Sequence, residues 1–149
     1  MTSRALTPAE INLCQTVFGQ AIDYGAVTVF NRKWWLFQSR RVTMAPDGNL
    51  WFHPESNLFC EDFCGSSSNI QSLFIHEMVH VWQHQQGVFL PLARHPFCRY
   101  DYELQPGKNF AAYGIEQQAE IVSHYFLLKN GAMLKNGYRM ADYDGLLPF

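Results

Sequence analysis

Apolar positions change their spacing along this chain, and each change marks an element. Ile11, Cys14, Val17, Phe18 and Ile22 recur at helical intervals, as a helix with one face turned to a core requires. Ahead of them, Thr7-Pro8-Ala9-Glu10 supplies an N-cap, a proline at the first helical position and a capping-box glutamate, and Gly25 is the expected stop. The period then shortens. Val27-Thr28-Val29-Phe30 reads as a strand, followed by the aromatic segment Trp34-Trp35-Leu36-Phe37. Residues 41–44 and 50–53 flank Ala45-Pro46-Asp47-Gly48-Asn49, whose turn chemistry predicts a β-hairpin, with Pro54 closing it and a loop over 55–68.

Helical spacing returns with Ile70, Leu73, Phe74, Met78, Val81 and Trp82. Ser68 with Gln71 forms the expected capping box, and Gly87 suits the position after the helix. Pro91, Pro96, Pro106 and Gly107 make 88–112 an irregular connection, with Tyr100-Asp101-Tyr102-Glu103-Leu104 a short extended piece inside it. Another helix is predicted over 114–129, stopped by Asn130-Gly131, and the tail ends in Leu146-Leu147-Pro148-Phe149 after a further helical turn. The pattern predicts one α+β domain over residues 1–149. A β-hairpin or small sheet packs on the central helix, beside an N-terminal helix and a later, glutamate-bearing one.

Composition narrows the function. Hydrophobic residues make up 48% and charged residues only 16% of the chain, so apolar surface is left over for a cleft or a partner face. The net charge is −2 with scattered basic residues, which excludes the electrostatic footprint of a nucleic-acid binder. No apolar run is long enough to span a membrane. The N-terminus, Met1-Thr2-Ser3-Arg4-Ala5-Leu6, lacks the apolar core of a signal peptide, so synthesis in the cytoplasm is expected. Cys14, Cys60, Cys64 and Cys98 match no zinc-ribbon spacing. Cys14 reads as a buried helix residue. Cys60 and Cys64 are spaced to pair in an oxidising compartment, and the sequence leaves that open.

The candidate chemistry lies in His76-Glu77-Met78-Val79-His80. Histidines at i and i+4 leave one helix face a turn apart, which lets two imidazoles reach a single Zn2+. Glu77 points about 100° around the helix from His76, beside the ion, where it can take a proton from activated water. A catalytic zinc also needs a third protein ligand. His84 continues the series, but two turns of helix carry it about 12 Å from His76, too far to share an ion. Gln83 and Gln86 occupy the positions where a metzincin has Gly and His. The better source is Glu116-Gln117-Gln118-Ala119-Glu120, beside the apolar stripe Ile115, Ala119, Val122 and Phe126. Here Glu116 is the expected ligand, with Glu120 as its competitor. The other carboxylate would hold a ligating histidine through a hydrogen bond. An oxyanion donor is also needed. Tyr113 is the first choice for it, ahead of Tyr102, His95 and His124, although Tyr and His beside a helix are more often packing residues.

An H-E-x-x-H helix followed by E-x-x-x-[DE] on a second helix resembles the gluzincin metallopeptidases. The resemblance implies Glu116 as ligand and Glu120 as support for a ligating histidine, a place where Asp is commoner. Leu6-Thr7-Pro8-Ala9-Glu10, Asn31-Arg32-Lys33-Trp34-Trp35, Met44-Ala45-Pro46-Asp47-Gly48, Phe74 to Gln83 and Tyr113 to Val122 are together similar to the small Vgr-related zinc metallopeptidases. That resemblance covers residues 6–128. It implies a zincin-like α+β domain and an antibacterial effector that type VI secretion delivers into a target cell, with the periplasm as the expected destination. Its partners would be a spike carrier and a cognate immunity protein. The expected reaction is hydrolysis of amide bonds in a peptide or protein, with Glu77 as general base. Two alternatives stay open: cleavage of peptidoglycan peptide cross-links, and an inactive zinc-containing binding module. Strand 50–53 is the expected edge for a substrate added as a strand. Trp51, Phe52 and Trp82 are candidates for its pocket walls, although core is the commoner use of such residues.

Overall fold

The computed structural model describes residues 3–93 and 98–149, and His95 lies outside them. Helix α1 (Pro8–Phe18) begins as its sequence requires. Thr7 Oγ1 accepts from Glu10 N, and Glu10 Oε2 accepts from Thr7 N, which closes the capping box. The helix stops earlier than Gly25. Gly19 adopts φ 54 and donates its N–H to Gln15 O, leaving Ile22 buried but outside the helix. Glu10 is fully buried and also accepts from both terminal guanidinium nitrogens of Arg4 at 2.8 Å and from the N–H of Phe63 at 2.9 Å. One carboxylate thus ties three distant segments together. Removing Arg4 would leave its charge unpaired in the core, at a cost of about 3–5 kcal/mol.

The sheet departs from the hairpin expected. β1 (Ser3–Ala5) pairs antiparallel with β2 (Thr28–Phe30), and β2 pairs in parallel with β3 (Leu50–Trp51). Of the expected hairpin, one antiparallel bridge survives, between Met44 and Trp51. The turn residues are satisfied in other ways. Asn49 Oδ1 accepts from Thr28 N, which draws β3 alongside β2, and Asp47 Oδ1 accepts from Trp51 Nε1. Buried Gln38 donates to Val42 O and Trp51 O, so side-chain amide bonds stand in for a ladder along the outer side of β3.

Helix α2 (Ser68–Gln85) is capped by Ser67, one residue before the expected cap. Gln71 is therefore free to donate to Cys64 O instead of closing a box. Every residue from Phe74 to Val81 is buried, because the helix lies between the sheet side of the molecule and helix α4 (Ile115–Lys129). The short helix α3 (Leu90–Ala93) follows α2. Gly114 begins α4, with Gln117 Oε1 accepting its N–H. Residues 100–104 find no strand partner among the described residues. Their backbone is held by side chains: Gln117 donates to Asp101 O, and Leu104 N donates to the Tyr138 hydroxyl.

Phe52 packs in the aromatic core with Phe59 and Phe63, and Trp82 packs against Phe110 and Phe149, so these residues and Trp51 belong to packing. Cys60 and Cys64 are free thiols, the former 3.2 Å from Ser66 Oγ. Among the described residues, no helix is long and apolar enough to cross a membrane.

Candidate metal centre

The facing of α2 and α4 brings His76, His80 and Glu116 together. Their potential ligand atoms all lie within 4.8 Å of one another, and all three residues are buried. Glu116 Oε2 lies 3.3 Å from His76 Nε2, and Oε1 lies 3.0 Å from His80 Nε2. The imidazoles meet edge to face, with centroids 5.1 Å apart. Glu120, a turn further along α4, turns instead to the back of His76, with Oε1 2.9 Å from Nδ1. Both glutamates therefore meet His76 from opposite sides.

The protonation pattern tests whether a cation fits. A carboxylate can only accept, so Glu120 draws the His76 proton onto Nδ1 and leaves the Nε2 lone pair facing Glu116. At His80 the same task falls to Gln83, which is only 2% exposed. Gln83 Nε2 donates to Ile115 O and Gln118 Oε1, so its Oε1 is the atom 2.8 Å from His80 Nδ1. That bond places the proton on Nδ1 and turns the second lone pair toward Glu116. Two imidazole lone pairs and a carboxylate converging in a buried space repel one another unless a cation joins them. The residues fit a divalent ion that accepts nitrogen and oxygen ligands.

Without a metal ion, a second proton on His76 supplies that positive charge. Burial alone disfavours the His76 cation, but bonds to Glu116 and Glu120 and the charge of Glu77 outweigh it and push the pKa up to about 10. Burial likewise disfavours the Glu116 anion, yet His76 and His80 hold its carboxyl well below the usual carboxylate range. Excess negative charge thus surrounds the point where the ligand atoms meet.

Glu77 is 4% exposed and lines a cavity of about 380 Å³ with Arg41, His76, Tyr100, Glu120 and His124. On the other side of the cluster, His80 and Glu116 open on a cavity of about 310 Å³ walled by Trp34, Trp35, Met44, Pro46 and Leu90. The segment 41–46 runs between the two. His84 points elsewhere: its ring fills the space beside Gly48, which stands at φ +85.

Tyr113 is not brought to the cluster. Its hydroxyl accepts from Gln105 N and its ring lies under Lys108 Nζ, which commits the side chain to the 105–108 loop. Tyr100 stands nearer. Its ring lies almost parallel to that of His76, with centroids 6.1 Å apart. Sequence reasoning missed Gln83 and Tyr100. The signal for Gln83 was a polar residue three positions after His80, on the face α2 turns inward; Tyr100 carries no local signal.

A small α+β domain with a buried two-histidine, one-glutamate cluster able to hold a metal ion is the class this fold and site define. No family model matches the chain. Among solved structures, it superposes on the effector domain of Pseudomonas aeruginosa VgrG2b with a TM-score of 0.80 and 37% identity, covering 97% of this chain and 83% of that one. The chain belongs to the family of that effector domain. It is also 43% identical, over an alignment 135 residues long that covers 85% of this chain, to the type VI secretion system spike protein VgrG2b of P. aeruginosa, and it spans 13% of the length of that spike protein.

Proposed function

We propose that this domain is a zinc-dependent peptidase delivered as a type VI secretion effector. The observation that carries the chemistry is the convergence of the His76 and His80 lone pairs on Glu116, with Glu77 next to His76 along α2. His76, His80 and Glu116 would hold the ion, three protein ligands that leave a position for chemistry. When bound, zinc supplies Lewis acidity toward a carbonyl and brings the pKa of the water it contacts to about 7. Glu77 would accept the proton of the attacking water and hand it to the leaving amine. Tyr100, stacked on His76 in the same cavity as Glu77, is the candidate to donate to the developing oxyanion.

The substrate would lie along residues 43–45 in place of strand 50–53. Met44 turns its backbone N–H and C=O to Trp51, and strand geometry then directs the backbone groups of Thr43 and Ala45 to the other side. A peptide there would set one side chain in the apolar cavity and its continuation in the polar one. The effector reading rests on the family. A spike carrier, an immunity protein and action in the periplasm of a target cell follow from that reading as proposals, and peptide cross-links of the cell wall stand as the alternative substrate.

A quenched-fluorescence peptide library and purified sacculi, each offered to the zinc-loaded protein, test the proposal. Cleavage of either should be lost with a chelator and with Glu77→Gln. Cleavage that persists in Glu77→Gln, or a zinc-loaded protein inert toward both substrates, overturns it; muropeptide release without peptide cleavage moves the substrate to the cell wall.

A further inference from the structure

His124, Tyr102 and Tyr143 do no work in the reading above, yet they are joined to it in one line. The carboxylate of Glu120 that meets His76 Nδ1 has its other oxygen 3.3 Å from His124 Nε2. Across that ring, His124 Nδ1 lies 2.6 Å from the Tyr102 hydroxyl, which lies 2.6 Å from the Tyr143 hydroxyl. Tyr143 is 2% exposed and sits in the 3-10 turn Met140–Tyr143, beyond the end of α4.

Donor and acceptor chemistry allows one direction through these groups. Glu120 only accepts, so both imidazoles offer it an N–H, His76 through Nδ1 and His124 through Nε2. A neutral His124 then has Nδ1 left as an acceptor, filled by the Tyr102 O–H. Tyr102 has spent its proton and accepts that of Tyr143. Burial supports both assignments. It holds His124 below its ordinary pKa, against the charge of Glu120, and with Tyr143 it keeps the Tyr102 phenol protonated well above its usual range. Each member has the proton its neighbour needs.

We propose that Tyr143, Tyr102 and His124 form a one-way hydrogen-bond chain that positions Glu120, and through it the ligating tautomer and ring orientation of His76. The C-terminal turn is then a working part of the metal site. The three are positioning residues, since none reaches the ligand atoms, and the inference rests on the metal-site reading above. Glu120 would otherwise be a partly exposed carboxylate on a helix surface, with rotamers to spare. Two donors on opposite oxygens hold it in one of them.

The test is zinc affinity by chelator competition, with the Co2+ absorption spectrum as a readout of ligand geometry. It compares the wild-type chain with Glu116→Gln, His124→Phe, His124→Gln and Tyr102→Phe. His124→Phe should weaken zinc binding about tenfold and alter the Co2+ bands. His124→Gln keeps an N–H for Glu120 and should recover most of that loss, and Tyr102→Phe should fall between the two. The His124 side chain is 25% exposed, so its variants decide the matter even if Tyr102→Phe folds poorly. Wild-type affinity and spectrum in His124→Phe, with metal lost in Glu116→Gln, would overturn the chain and leave the metal site standing. No zinc on the wild-type protein, or wild-type binding by Glu116→Gln, would remove the metal site and the chain with it.

Discussion

His76 and His80 leave the same face of α2 a turn apart, and beyond that the two sides of the site share little. His80 is backed by Gln83, a neutral buried amide whose own donors end on Ile115 O and Gln118, and its open side looks into an apolar cavity walled by tryptophans. His76 is backed by Glu120, a carboxylate continued by His124 and Tyr102, and its open side looks into a polar cavity with Glu77, Arg41 and Tyr100. A carboxylate raises the basicity of a ligating imidazole more than an amide does. Proton-handling groups are gathered on the His76 side, and apolar surface on the His80 side. The two histidines offer the cluster the same ring nitrogen and differ in their surroundings. In the proposed reaction, one side does chemistry and the other side grips the substrate.

The sharpest way to break this division is Glu77→Gln, which should lower kcat by about a thousandfold or more while zinc content, measured by elemental analysis, stays at wild type. An equal loss from a substitution in the apolar wall would erase the distinction. Next come the two supports. Glu120→Gln should cost about a hundredfold in zinc affinity and Gln83→Leu about tenfold, since a charged partner is removed in the first and a neutral one in the second. The order reverses for folding. Gln83→Leu strands two buried acceptors and should lower stability in thermal unfolding by about 2 kcal/mol, whereas partly exposed Glu120 should cost less. Equal zinc affinities for the two variants would mean that amide and carboxylate do the same job. Trp35→Ala should reduce kcat/KM about tenfold for peptides with a bulky apolar residue beside the cleaved bond, and scarcely change it for their alanine counterparts. The smallest effect should be that of Arg41→Ala, a rise in KM of about threefold for substrates with an acidic residue on the polar side, weakening further in high salt.

The local features of this chain were open to a reader of the sequence. Capping at Thr7, the pair His76 and His80 with Glu77 between them, and a second helix carrying Glu116 and Glu120 all depend on residues within a turn or two of each other. Local hydrogen bonds and helical period decide such features. The sheet was harder. Turn residues 45–49 look like a hairpin, but Asn49 bonds to Thr28 and pairs β3 in parallel with a strand distant in sequence. Tyr113 stands outside the cluster for a similar reason: closeness to Glu116 along the chain says nothing about which way a side chain turns, and this one is held by Gln105 and Lys108.

What the sequence determined by itself, then, is the set of groups on the α2 face and the choice of Glu116 and Glu120 as the carboxylates within reach of it. Only the tertiary structure decided which oxygen faces which nitrogen, that Gln83 supports His80, and that residues 41–46 separate an apolar cavity from a polar one. It alone brought the tail to Tyr102 and His124. The physical reason is one of range. Helical spacing is imposed by bonds between neighbours, whereas a partner for a buried polar group is found wherever packing brings a donor and an acceptor together, at any distance along the chain.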